Sequence, residues 1–512
     1  MCGTGSDAGK SAVVAGLCRL LARRGVAVAP FKAQNMALNS WVTDEGTEIG
    51  RAQAVQALAA GAPPETAMNP ILLKPTGERT SQVVLMGRPW KVLDAAGYHA
   101  AKPELAGIVA DALESLRARY EVVICEGAGS PTEINLLDHD LVNLRLAAAA
   151  GIPAVVVGDI DRGGVFASLY GTVALLPDDL RPLVRGFLIN KFRGDPALLT
   201  PGLEELEART GVPVLGVLPW IDGLGLDAED SLALAGPDPF AGPVGDDPLD
   251  VAVIRFPRIS NFTDLDPLGQ DPACEVRLVD RPGTLGDPDL IVLPGTKSTL
   301  ADLAWLRAGG LAGKLAGLAG RPRGPVVLGI CGGYQMLGDR IFDGIESDET
   351  AGAGLGLLPV ETVFGPEKVT RRRRGRLLGG RDRDAVAVSG YQIHQGRVGP
   401  AGPGDARAGR PWLALDDGGG GEEPEGWADP GAALYGTSLH GLFEEDGFRT
   451  AFLGLVADHR GKPRPAPSVE GSFAGARLRR FDRLADALET HVDLPALLAL
   501  IASGAPLETA QP

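Results

Sequence analysis

Cysteine is scarce in this chain and scattered. Five cysteines stand at positions 2, 18, 125, 274 and 331, with no CxxC pair. That spacing excludes a disulfide framework, argues against a paired-cysteine zinc site and suits a reducing cytoplasm. Histidine is also sparse, at six in 512 residues. No apolar run approaches the ~20 residues that cross a bilayer, and no signal peptide precedes the first motif. Basic residues are outnumbered, with 49 Lys and Arg against 65 Asp and Glu, for a net charge of −16. This balance disfavours a nucleic-acid partner and points to chemistry on small molecules. No internal repeat of fixed period is visible. The partners expected are therefore small-molecule substrates, with no nucleic acid and no membrane insertion; a homo-oligomer stays open.

What is present is an α/β rhythm. Apolar, β-rich runs recur at VAVAPF (26–31), EVVICEGAG (121–129), IPAVVVGDID (152–161), VRGFLIN (184–190) and VPVLGVLPW (212–220), separated by helical stretches such as 103–118 and 139–150. That alternation predicts a mostly parallel sheet with helices on both faces. A Pro-, Gly- and Asp-rich stretch at 233–249 reads as a linker. A second α/β region follows, with runs at 250–256, 289–295, 325–337, 390–396 and 434–441. Two stretches, 367–384 with its arginine run and 400–432, read as surface insertions. The domains expected are 1–232, 250–447 and a helical extension, 448–512, packing on the second domain.

The first motif is GTGSDAGKS (3–11). It misses the pattern GxxxxGK[ST] by one place, because Thr4 stands where the first glycine belongs and the glycine is Gly3. The working parts are there. Gly9 admits a phosphate to the backbone, Lys10 is a cation for phosphate oxygens, Ser11 can ligate Mg²⁺, and a helix begins at Lys10. Glu126 ends an apolar strand, where its carboxylate can hold the same Mg²⁺. Asn190 also ends a strand, where an amide can read a base. Asp159 and Asp161 lie at the same kind of edge, and Lys32 and Lys74 are candidates for binding phosphate or carboxylate.

The second motif is VVLGICGGYQML (326–337). An apolar strand, a glycine-flanked cysteine and a helix make a nucleophile elbow, with the Cys331 sulfur at a helix N-terminus that favours thiolate. Backbone N–H groups at Gly332 and Gly295 could form an oxyanion hole. A thiolate nucleophile wants a histidine. His440, in GTSLHGLF after a β-run, is the best placed of the six, and His394 in YQIHQG is second.

The loop is similar to that of the dethiobiotin synthetase-like ATPases. PFKAQNMALNS (30–40), EIGRAQAVQA (48–57), MNPILLKP (68–75), EGAGSPTEINL (126–136), DIDRGGVFASLYGT (159–172) and INKFRGD (189–195) resemble the cobyric acid synthase family. The second half resembles its class I glutamine amidotransferase domain, of flavodoxin-like fold. The resemblance implies ATP and Mg²⁺ as cofactors, with Gly3, Thr4, Gly9, Lys10, Ser11 and Asn190 at the nucleotide, Ser11, Glu126 and Glu45 at the metal, and no tightly bound prosthetic group. It implies Cys331 as nucleophile, His440 as base, and His394 near the glutamine. It also implies a corrinoid substrate: amidation of the b, d, e and g carboxylates of adenosylcobyrinic acid a,c-diamide. A cobyrinic acid a,c-diamide synthase would share this architecture; a partition-type switch ATPase would lack the Cys331/His440 half. Many amidotransferases place Glu two residues after the histidine. Here Leu442 stands there, so a Cys–His dyad is expected, oriented by a group the sequence does not reveal. Only Met1 and Cys2 precede the loop, although relatives carry a central strand there. The expectation is of about five to ten further residues upstream, without which 26–31 and 121–125 would flank a gap.

Overall fold

The computed structural model describes residues 1–77, 79–224, 240, 245–347, 350–379, 386–402, 409–465 and 471–504. They form two compact units. The first comprises Met1–Met36, Ile49–Leu226 and Arg477–Pro512; the second comprises Ala37–Glu48 and Asp227–Ala476. The linker expected at 233–249 lies mostly outside the described residues.

In the first unit, the strands Cys2–Gly3, Ala154–Asp159, Val184–Phe192 and Val214–Pro219 form a parallel sheet in that order. Their runs are nearly continuously apolar because both faces are covered. Val28–Phe31 and Val122–Cys125, expected to flank a gap, pair directly with each other, in parallel. The first residues bridge Val122–Cys125 and Ala154–Asp159: the Met1 amine donates to the Cys125 carbonyl (2.6 Å), Gly127 N–H to the Met1 carbonyl (2.9 Å) and Thr4 N–H to the Val157 carbonyl (2.9 Å). Below that bridge is a cavity of about 260 Å³ lined by Met1, Val122, Val123, Ile152 and Val155 among others. A separate small sheet, Gln34–Met36 beside the meander Ile71–Pro75, Thr80–Leu85 and Arg88–Asp94, completes the unit.

The C-terminal extension divides. Asp446–Arg460 belongs to the second unit, but everything from Arg477 joins the first, contrary to the expectation that 448–512 packs as one piece on the second domain. The amphipathic pattern is as expected; its partner is not. Leu484 and Leu488 lie against Gly16 of the helix Lys10–Arg23, where a Cβ would stand 2.7 Å from Leu488. Asp482, Asp486 and Glu489 pair with Arg19, Arg23 and Arg24 of that helix. Val492 bridges to Gly216 of the sheet.

The second unit holds a parallel sheet in the order Cys274–Val279, Leu249–Ile254, Leu290–Leu293, Val326–Ile330, Leu434–Thr437, with Trp427–Asp429 antiparallel at the edge. A second sheet is built on the long hairpin Val360–Leu377 and Ala387–Pro400. The arginine run is therefore a strand rather than a loop. Alternation turns Arg373 inward, where it bonds Gln392 and the Asp416 carbonyl, while Arg372 and Arg374 are exposed. Nor is 400–432 a mere insertion, since Trp412, Leu413 and Leu415 are core residues. Ala37–Glu48, expected within the first domain, belongs to this unit, its Val42 buried with Tyr391 and Ile393.

Candidate active site

The nucleotide centre lies in the first unit, at the carboxyl ends of its parallel strands, where open α/β sheets place ligands. The chain leaves Cys2–Gly3, turns through Thr4–Gly9 and enters the helix Lys10–Arg23. Gly9 adopts φ +92°, and a Cβ there would stand 2.1 Å from Asn190 Nδ2, so both backbone and space demand glycine. Asn190 itself donates to the Ala8 carbonyl (3.0 Å), which braces the loop. Lys10 is buried and donates to the carbonyls of Gly5 (2.8 Å) and Gly129 (3.2 Å). Lys191 donates to the Asp7 carbonyl and to Asp159, both at 2.7 Å, fastening the loop from the other side.

Ser11 and Glu126 are brought together as expected, Ser11 Oγ donating to Glu126 Oε1 at 2.8 Å. Two groups that were not assigned there complete the set. Lys32 Nζ donates to Glu126 Oε1 (2.9 Å), and Gln56 Nε2 donates to Oε2 (2.5 Å). Burial alone would raise the Glu126 pKa; the Lys32 charge and the hydrogen bonds from Gln56, Lys32 and Ser11 outweigh it and hold the carboxyl below its ordinary range. An ionised carboxylate beside a hydroxyl is a hard-oxygen pair of the kind Mg²⁺ takes. Glu45 is exposed at the turn of the segment Ala37–Glu48, which belongs to the second unit. The buried acid of that segment is Glu48, bonded to Ser40 Oγ (2.6 Å) and Lys368 (2.5 Å).

The cysteine centre lies in the second unit, also at strand ends. Cys331 follows Val326–Ile330 and takes φ 50°, ψ −108°, a conformation rare for a residue with a side chain. Such strain persists only where its surroundings enforce it. Here the Cys331 N–H is fixed by the Thr437 carbonyl (2.8 Å), and a Cβ on Gly333 would strike the Leu293 carbonyl. Gly332 is the first residue of the helix Gly332–Leu337, so its N–H has no partner within the helix and is free to face an anion. Gly295 backs onto the histidine, a Cβ there standing 3.1 Å from His440 Cε1.

His440 is buried and hydrogen-bonded to Cys331. The group that orients it is Asp264. Its Oδ2 lies 2.6 Å from His440 Nδ1, and its Oδ1 accepts from Gly441 N–H at 2.8 Å. The expected dyad is thus a triad whose third member comes from the loop after Ile259. Burial opposes the imidazolium, but the Asp264 charge and hydrogen bond overcome it and lift the His440 pKa to about 10. Asn261 Nδ2 lies 3.5 Å from His440 Nε2, and the Tyr391 ring stacks on the imidazole (centroids 5.3 Å apart). The only sequence signal for this loop was a run of polar residues, SNFTDLD, where a strand would be expected to end in turn chemistry.

His394 behaves oppositely. Burial lowers its pKa to about 4, so it is neutral. Its Nδ1 lies 2.8 Å from the Gly396 carbonyl and must carry the hydrogen, leaving Nε2 as a buried acceptor with no hydrogen-bond partner among the described residues. It faces a cavity of about 710 Å³ lined also by Tyr334, Gln392, Glu425 and Ser438. Glu425 accepts from Thr437 Oγ1 (2.7 Å) and Ser438 N–H (2.6 Å), fixing the strand end that leads to His440.

Residues 1–232 match the family model for the CobQ/CobB/MinD/ParA nucleotide binding domain, and residues 250–448 match that for the CobB/CobQ-like glutamine amidotransferase domain. Three proteins named cobyric acid synthase align along nearly the whole chain. That of Rhodococcus jostii is 52% identical, covering 98% of this chain and 95% of its own. That of Streptomyces avermitilis is 52% identical, covering 98% and 96%. That of Desulforudis audaxviator is 52% identical, covering 97% of each.

Proposed function

The chain belongs to the cobyric acid synthase family, and on that premise we propose that it amidates carboxylates of a corrinoid in cobalamin biosynthesis, using ATP and glutamine. The substrate is adenosylcobyrinic acid a,c-diamide, the sites are its b, d, e and g carboxylates, and the product is adenosylcobyric acid. The observation that carries this reading is the coexistence, in one chain, of a phosphate loop with a paired hydroxyl and carboxylate and of a strained cysteine with an oriented histidine.

At the cysteine centre, the Cys331 thiolate attacks the glutamine carboxamide carbon. The tetrahedral oxyanion is received by the Gly332 N–H. His440, held charged by Asp264, gives its proton to the leaving nitrogen; the C–N bond breaks, ammonia departs and a thioester remains. His440 then takes a proton from water as it attacks the thioester, releasing glutamate and restoring the thiolate. The cavity beside His394 is of the size small-molecule sites have.

At the nucleotide centre a substrate carboxylate oxygen attacks the γ-phosphorus of ATP, ADP leaves, and an acyl phosphate forms. Ammonia displaces phosphate from it to give the amide. A carboxylate is a poor electrophile and an acyl phosphate a good one, which is what the ATP supplies. Lys10 and Lys32 neutralise charge on the transferring group, and the loop amides hold the phosphates. Ser11 and Glu126 would hold Mg²⁺, which supplies charge neutralisation at the phosphate oxygens. Incubation with ATP, Mg²⁺, glutamine and adenosylcobyrinic acid a,c-diamide, read by mass spectrometry, should give four successive OH-to-NH₂ conversions. If the diamide is left untouched and cobyrinic acid, offered in its place, gains two amides, the a,c-diamide synthase reaction is favoured instead.

A further inference from the structure

The loop that carries Asp264 does not stand alone. Asn261 sits in the left-handed region at φ 51°. Its Oδ1 accepts from Ser40 N–H at 2.8 Å, and its Nδ2 faces His440. Phe262 N–H donates to Asn39 Oδ1 at 3.2 Å. Tyr391, stacked on the face of the imidazole, donates its hydroxyl to the Ser40 carbonyl at 3.1 Å. Two adjacent residues, Asn39 and Ser40, therefore hold both the loop at the edge of the histidine and the ring on its face. Their own positions are fixed within the segment: Thr43 N–H and the Thr47 carbonyl close its turn (2.8 Å), Ser40 Oγ binds Glu48, and Glu48 binds Lys368. The grip is buried, with Asn39 and Ser40 fully inaccessible. Yet the segment lies in the part of the sequence that matches the nucleotide-binding family model.

We propose that Ala37–Glu48 is a positioning hairpin for glutamine hydrolysis, with Asn39 and Ser40 setting the 261–264 loop and Tyr391 around His440. The glutaminase centre is then assembled from three distant stretches of chain, one of them outside the matched glutaminase region. This rests on the glutamine-hydrolysing role given to Cys331 and His440 above. The hairpin residues touch no reacting atom; they act through the histidine's orientation, and a small misplacement of a catalytic group is expensive.

The test uses the full chain and two variants. Asn39→Ala removes the acceptor for Phe262 N–H, and Tyr391→Phe removes the bond to Ser40 while keeping the stacked ring. Each should lower kcat for glutamine hydrolysis on the order of tenfold, with KM for glutamine nearly unchanged and amidation from free ammonium retained. Asn39→Asp, which keeps an acceptor oxygen, should restore most of the loss. Retained ammonium-dependent amidation also reports that each variant is folded. Unchanged glutamine hydrolysis in both variants, or failure of Asn39→Asp to rescue, overturns the proposal. If Cys331→Ala still hydrolyses glutamine, it is the underlying reading that fails instead.

Discussion

The two centres solve opposite electrostatic problems. At Glu126 a buried anion is kept charged by a lysine and two neutral donors; at His440 a buried cation is kept charged by one aspartate. The first centre is made of loop backbone and must leave room for a phosphate. The second is packed around a sulfur and an imidazole, with the Tyr391 ring on the histidine's face and the Asn261 amide and Asp264 carboxylate at its edge. A site that binds a large anion is built from glycine and peptide N–H groups, whereas one that must aim a single proton is built from rigid side chains.

The strongest way to sharpen that contrast is to remove one centre at a time. Cys331→Ala should abolish glutamine-dependent amidation, a loss of about 10⁴ or more for a missing nucleophile, while amidation from ammonium continues. Lys10→Ala should stop amidation from both nitrogen sources, and parallel assays with glutamine and ammonium distinguish the two. Next comes Asp264→Asn, expected to lower kcat for glutamine hydrolysis about a hundredfold or more by loosening the histidine. Its pH dependence carries a sign. The His440 pKa is raised from its ordinary 6.5 to about 10, so the stability this pair contributes is full below 6.5 and is lost as pH rises through about 10. In Asp264→Asn the alkaline fall of glutamine hydrolysis should move down from near 10 toward 6.5, read from kcat/KM against pH. Gly9→Ala should cost more than tenfold in ATP-dependent amidation, since its Cβ meets Asn190 in a backbone conformation alanine resists; glutamine hydrolysis should persist. The smallest effects concern stability. Leu488→Ala, which empties the contact on Gly16, should cost about 2–4 kcal/mol in urea unfolding of the first unit. Arg23→Ala, at an exposed ion pair, should cost less than about 1 kcal/mol.

Much of the fold was legible because parallel strands advertise themselves as unbroken apolar runs, and those at 152–161, 184–190 and 326–330 each hold a strand. The local geometry was legible: Gly9-Lys10-Ser11 and Cys331-Gly332-Gly333 each declare a turn and a helix start within a few residues, and the structure has both. Asp264 was invisible because an orienting carboxylate needs only position, and its position comes from a loop 176 residues before the histidine. Lys32 was read as a phosphate or carboxylate binder rather than as a partner of Glu126, and Gln56 was not read at all, since neither belongs to a pattern with Glu126. Acidic residues at a turn look alike in sequence, whereas in the structure Glu48 is buried and Glu45 is exposed. The C-terminal helices were read as amphipathic but assigned to the wrong surface, because periodicity names a face and not its partner.

That last feature bears on how the molecule comes off the ribosome. The helix that covers Gly16 emerges only after the whole of the glutaminase unit has been synthesised. Until then Leu17, Leu20 and Leu215 lack the cover that Leu488 and Val492 add in the finished unit. Domains ordinarily mature from the N-terminus. Here the nucleotide unit starts first and finishes last, and a chain stopped before residue 477 would expose an apolar strip on the helix that follows its phosphate loop.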